Sequence, residues 1–188
     1  MKQIKTFNKL AVFFFLILFG CEKNDILPDI TEEGLNTFGM LVDGKIWKPY
    51  TPISIVGPIS LDVKYSTHSH LLNIEALNTK KGQGLSFYAE KIQSVGYYNF
   101  SYRNNFKASD TSCHSCIDYK DSTRFEDGSG IYNAYKLIDS VNSVINITRL
   151  DTFRSIISGT FSLNLKNPSG KIINITEGRF DFHYLSIE

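Results

Sequence analysis

The chain has 188 residues, 20 of them basic and 19 acidic, for a formal charge of +1. That length fits one domain around one core. Charges this balanced, with no long block of either sign, lack the basic excess that phosphate neutralisation demands, which excludes nucleic acid as the expected partner.

The first 20 residues place Lys2, Lys5 and Lys9 ahead of an apolar run from Leu10 to Gly20 that is rich in Phe and Leu. Eleven apolar residues suit a signal-peptide core and fall short of the roughly 20 that a membrane-spanning helix needs. The run closes on Leu18-Phe19-Gly20-Cys21. This segment resembles a bacterial lipoprotein signal, in which a small residue before the cysteine admits the peptidase and the thiol carries diacylglycerol; Phe19 departs from the smaller residue usual at its position. The resemblance implies a signal peptide over 1–20, lipidation of Cys21, and a mature chain of 168 residues carrying 17 basic and 19 acidic groups. Attachment to the membrane would then rest on the lipid, each buried acyl methylene contributing about 0.8 kcal/mol. Residues 21–35 are polar, acidic and unpatterned and read as the lipidated tether. Within them Cys21-Glu22-Lys23-Asn24-Asp25 resembles the lysine-plus-acid signals that send Bacteroidota lipoproteins outward, and an ordinary solvated linker explains the same residues.

From Asn36 to Glu188 the dominant period is two, the mark of half-buried strands in an antiparallel sheet. Asp43-Gly44 lies between the apolar runs Phe38–Val42 and Lys45–Trp47, where a type I′ hairpin requires positive φ, and Trp47 is placed in the core. Ile59, Leu61, Val63 and Tyr65 alternate with polar residues; Leu72, Ile74 and Ala76, then Leu85, Phe87 and Ala89, then Tyr98, Phe100 and Tyr102 repeat the pattern. Asn104 to Gly130 is irregular and reads as a long loop, and Ser129 to Ser140 has room for one helical turn. Ile157 to Lys166 is the longest clean alternation. Asn167-Pro168-Ser169-Gly170 then predicts a type I turn completed by a left-handed glycine. The return strand slips phase around Glu177-Gly178, as one bulge residue would produce, with Gly178 the bulge. The expectation is a single all-β domain over 36–188, an antiparallel sandwich of about nine or ten strands, with a single meander closing into a barrel as the alternative. The 14 Phe and 10 Tyr suffice to fill one such core.

Four constellations bear on chemistry. Cys113 and Cys116 remain as an even pair once Cys21 is lipidated, and in an exported protein a disulfide between them would clip the loop for about 2 kcal/mol. Redox and metal roles for Cys113, His114 and Cys116 compete with that reading, as do inert thiols. His68 and His70, two apart, would share a face on a strand and reach one metal ion if His114 or His183 joined them; solvated edge histidines are the plainer reading. Asp118, Asp121, Glu126 and Asp127 precede Gly128 without calcium-loop spacing. In Tyr97-Tyr98-Asn99-Phe100-Ser101-Tyr102-Arg103, one parity reads as core and leaves Tyr97, Asn99 and Arg103 as candidate contacts to a sugar or other ligand. No nucleophile elbow, phosphate loop, zincin helix or dinucleotide fingerprint occurs, so catalysis and a cofactor have no motif behind them. Asp139-Ser140-Val141 resembles a short O-glycosylation acceptor motif of exported Bacteroidota proteins.

Asn36-Thr37-Phe38-Gly39-Met40-Leu41-Val42-Asp43-Gly44-Lys45-Ile46-Trp47-Lys48-Pro49 after a lipidated cysteine, with Ile157-Ser158-Gly159-Thr160-Phe161 and Ile175-Thr176-Glu177-Gly178-Arg179-Phe180-Asp181 near the end, resembles a Bacteroidota lipoprotein family whose β-rich domain has no assigned function. That resemblance implies an exported, outer-membrane-anchored β domain on the periplasmic or cell-surface face and supplies no catalytic residues. The expected function is a non-catalytic binding or structural module for a protein or glycan partner, held to the membrane through Cys21. The alternative is a metal-dependent or redox enzyme using His68, His70, His114, Cys113 and Cys116.

Overall fold

The computed structural model describes residues 26–52, 60–100, 117–124, 130–138 and 143–186. The described chain is all-β: β1 (Thr37–Val42), β2 (Lys45–Trp47), β3 (Leu61–Ser66), β4 (Leu71–Asn78), β5 (Gln83–Ala89), β6 (Gly96–Asn99), β7 (Ile117–Arg124), β8 (Gly130–Leu137), β9 (Val144–Asp151), β10 (Ile156–Lys166), β11 (Ile172–His183) and β12 (Leu185–Ser186). Ten of these make one continuous curled sheet, a half-barrel, in the order β12-β3-β4-β5-β7-β8-β10-β11-β1-β2. The fork is at β10. Its first part pairs with β9, which in turn pairs with β6, while Leu165 and Lys166 at its end pair with β8. The two inner faces expected of a sandwich are therefore the opposing arms of one sheet. After Tyr184 the chain returns as β12 and pairs in parallel with β3.

The arms are held together by aromatic rings. Phe87 on β5 lies 5.7 Å from Phe161 on β10 and 6.0 Å from Phe100, and Tyr65 on β3 meets Tyr184 at 5.2 Å. Phe38 packs on Trp47, Phe161 and Phe182, so β1 brings its rings to the same core and Trp47 is buried as expected. Ring pairs at such separations contribute about 0.5–1.5 kcal/mol each beyond the area they bury.

The local signals hold where turn chemistry is specific. Asp43 (φ 48°) and Gly44 (φ 75°) close the β1–β2 hairpin, with Val42 opposite Lys45. Asn167 to Gly170 closes β10–β11: Asn167 Oδ1 accepts from the Lys171 amide at 2.8 Å, and Gly170 has φ 92°. The phase slip in β11 is a bulge, since Phe161 pairs with Gly178 and Leu163 with Ile175, leaving Thr176 and Glu177 opposite Ser162 alone. The left-handed residue there is Glu177, at φ 50°. Gly178 is required for a different reason, because a Cβ on it would stand 2.5 Å from the Phe161 ring.

Two expectations are corrected. The stretch Asn104 to Gly130 is not loop throughout, because β7 occupies Ile117–Arg124 and pairs on both sides. The room for a helical turn within Ser129 to Ser140 is taken up by β8 over Gly130–Leu137. In β7 only Ile117 and Tyr119 are apolar, so its pairing partners rather than its own pattern hold it in the sheet.

Candidate functional site

The segment read as tether is in part docked. Asp181, on the outer face of β11, is 1% exposed and pairs across to Ser158 on β10 and Thr37 on β1. Its Oδ1 accepts from the Gly34 amide and the Ser158 hydroxyl, both at 2.7 Å. Oδ2 accepts from the Thr31 hydroxyl at 2.7 Å and from the amides of Glu33 at 3.0 Å and Leu35 at 3.1 Å. An ionised carboxylate is acceptor-only with about four lone-pair sites, which suits a turn that aims successive N–H groups inward. Positive φ at Gly34 (76°) and Asn36 (55°) makes that turn, and His183 packs so closely that a Cβ on Gly34 would lie 2.7 Å from its ring. Burial alone would raise the Asp181 pKa, but hydrogen bonds from Ser158, Thr31 and the Leu35 and Gly34 amides outweigh it and hold the carboxyl at about 2.

The strap continues down the sheet. Arg149 of β9 donates to the Glu32 carbonyl, Arg179 to the Pro28 carbonyl at 3.4 Å and Lys48 to the Ile26 carbonyl at 3.1 Å. Leu27 and Pro28 lie over Gly39, where a Cβ would be 2.6 Å from Pro28. Residues 26–35 thus form an extra layer on the outer face, and beside that layer runs an open groove of about 300 Å³.

Register builds the groove floor. Tyr97 pairs with Asn146, Asn146 with Thr160 and Thr160 with Arg179, a row crossing β6, β9, β10 and β11. Val144 and Ser162 belong to the next row, and Ile30 of the strap forms one wall. Tyr97 is 78% exposed. The side chains of Asn146, Thr160 and Ser162 make no hydrogen bond among the described residues. Arg179 uses three of its five N–H donors within the protein: its Nε donates to the Glu177 carbonyl at 3.1 Å, Nη1 to Pro28, and Nη2 to Glu177 Oε2 at 3.0 Å.

Of the residues singled out in sequence, Tyr97 and Asn99 lie on the exposed side of β6, while Phe100 is buried and Tyr98 half-buried with its hydroxyl bonded to the Ser94 backbone. Cys21, Arg103, Cys113, His114, Cys116, Glu126, Asp127 and the Asp139-Ser140-Val141 motif lie outside the described residues. His68 and His70 are not on a strand. They sit in the β3–β4 turn, where His70 has φ 54°, so the shared-face premise for a metal pair fails. His183 packs on Gly34 instead, and among the described residues no three His, Cys, Asp or Glu side chains converge as a metal group. Asp121 accepts from Gln83 at 3.2 Å. Sequence reasoning missed Asn146, Thr160, Ser162, Arg179 and Asp181. Each stands on the polar parity of its strand, and only the register between distant strands brings them together.

No protein-family model, curated protein or solved structure matches this chain.

Proposed function

We propose that the protein is a lipid-anchored, non-catalytic binding module of the outer membrane, exported by its leader, acylated on Cys21, and engaging a protein or glycan partner through the groove beside Tyr97. The observation that carries this reading is the groove itself: a largely exposed tyrosine and three unpartnered polar side chains lie beside an ordered strap. Exposed aromatics and unmet hydrogen-bonding capacity are what a ligand surface presents before its ligand arrives. Ile26, the first described residue of the strap, is five residues from Cys21, a contour of at most about 18 Å. An acylated chain would therefore hold the domain close to the bilayer, with the groove's Ile30 wall on the same segment.

The test is a photo-activatable cross-linker placed at Asn99 of the full chain in native membranes, with the same group at Phe153, which is 96% exposed at the β9–β10 turn, as the control. The expected result is an adduct from position 99 and not from position 153. Equal labelling at both positions, or none at 99, would overturn the reading.

A further inference from the structure

The groove's chemistry narrows the partner. Arg179 spends three of its five N–H donors on Glu177 and Pro28 and is ion-paired with Glu177, which also lines the groove, so its charge is answered within the protein and an acidic ligand would meet the Glu177 carboxylate beside it. The uncharged hydrogen-bonding side chains on offer are one amide, Asn146, and three hydroxyls, Tyr97, Thr160 and Ser162. These groups both donate and accept, as sugar hydroxyls do. Asn146, Thr160 and Ser162 sit in the middle of a sheet face whose backbone is already paired through β9, β10 and β11, so a peptide could extend the sheet only at the outer edge of β6, beyond Tyr97, and not across these three residues.

Geometry agrees with the chemistry. Asn146 and Thr160 follow Tyr97 on successive strands, spaced about 4.8 Å apart, comparable with the length of one pyranose ring. Tyr97 offers a flat apolar face at the end of the row, and its 78% exposure leaves that face free of packing duty. Ile30 supplies an apolar wall for the less polar edge of a ring. A volume of about 300 Å³ gives room for a short oligosaccharide segment and sits at the low end of small-ligand sites.

We infer that the groove binds a neutral glycan, with a pyranose ring laid on Tyr97 and its hydroxyls held by Asn146, Thr160 and Ser162; this rests on the binding-module reading above. The experiment titrates the full chain, in detergent micelles, with neutral gluco-, galacto- and manno-oligosaccharides and with an oligogalacturonide of equal length. At least one neutral series binds, the uronide binds more weakly by roughly tenfold or more, and Tyr97→Ala weakens neutral binding by a similar factor while Phe153→Ala does not. Asn146→Ala, which also faces the groove, gives the second variant. A uronide that binds as well as the neutral sugars, absence of neutral binding, or full binding by Tyr97→Ala overturns the inference. Uronide binding abolished by Tyr97→Ala, or a protein adduct from position 99, would remove the neutral-glycan assignment and leave the binding module standing. Loss of the position-99 adduct would remove both.

Discussion

Asp181 gathers five hydrogen bonds, three of them from the strap's backbone. Asparagine is nearly isosteric but exchanges one acceptor oxygen for two donors, which would face N–H and O–H groups in a buried site. Asp181→Asn is therefore expected to cost about 3 kcal/mol, read from urea unfolding at neutral pH. The pH dependence has a definite sign. The folded pKa, about 2, lies below the ordinary value of 3.8, so the stabilisation is fully present above pH 4 and is lost as pH falls through about 2. Over that window the wild-type protein should lose about 2 kcal/mol through this group. Unfolding midpoints of Asp181→Asn should lack that component. Asp181 was invisible in sequence because it follows Arg179 and Phe180 at the expected alternation; nothing in Arg179-Phe180-Asp181-Phe182 distinguishes a solvated carboxylate from one with a segment of chain folded onto it.

Among the elements, the turns were the most legible because their residues answer local backbone demands. Asp43-Gly44 and Asn167 to Gly170 need left-handed positions whatever surrounds them, and those were readable. Gly44 has φ 75° with open space around it, so Gly44→Ala should cost about 1 kcal/mol through backbone strain. Gly178→Ala should cost about 2 kcal/mol by overpacking against Phe161. Thermal unfolding of the two variants separates strain at an exposed turn from a clash in the core. β7 and β8 were illegible for the opposite reason. β7 carries six polar residues among its eight, and its place depends on β5 and β8 offering ladders on either side. The histidine pair failed similarly: alternation spacing holds on a strand, and His68 and His70 lie just past the end of one.

At the scale of the whole molecule, the strap joins the half-barrel at Asp181 and runs back to Ile26, five residues from the proposed anchor at Cys21. Cys21→Ser is expected to move the protein from the membrane to the soluble fraction on fractionation of the producing cells, because the proposed acyl chains would be the attachment. The all-β class came through in sequence as a sum of many short alternations, whereas the groove did not. It needs β6 beside β9, β9 beside β10, and residues 26–35 laid over β11, and such register is set by the assembled core. The latch at Asp181 is what gives the groove its wall, so the most direct measurement is amide hydrogen exchange at Glu33, Gly34 and Leu35 in the full chain. Strong protection at all three in the wild-type protein, falling to rapid exchange in Asp181→Asn while β10 and β11 stay protected, is the predicted result. Rapid exchange at these amides in the wild-type protein would contradict it.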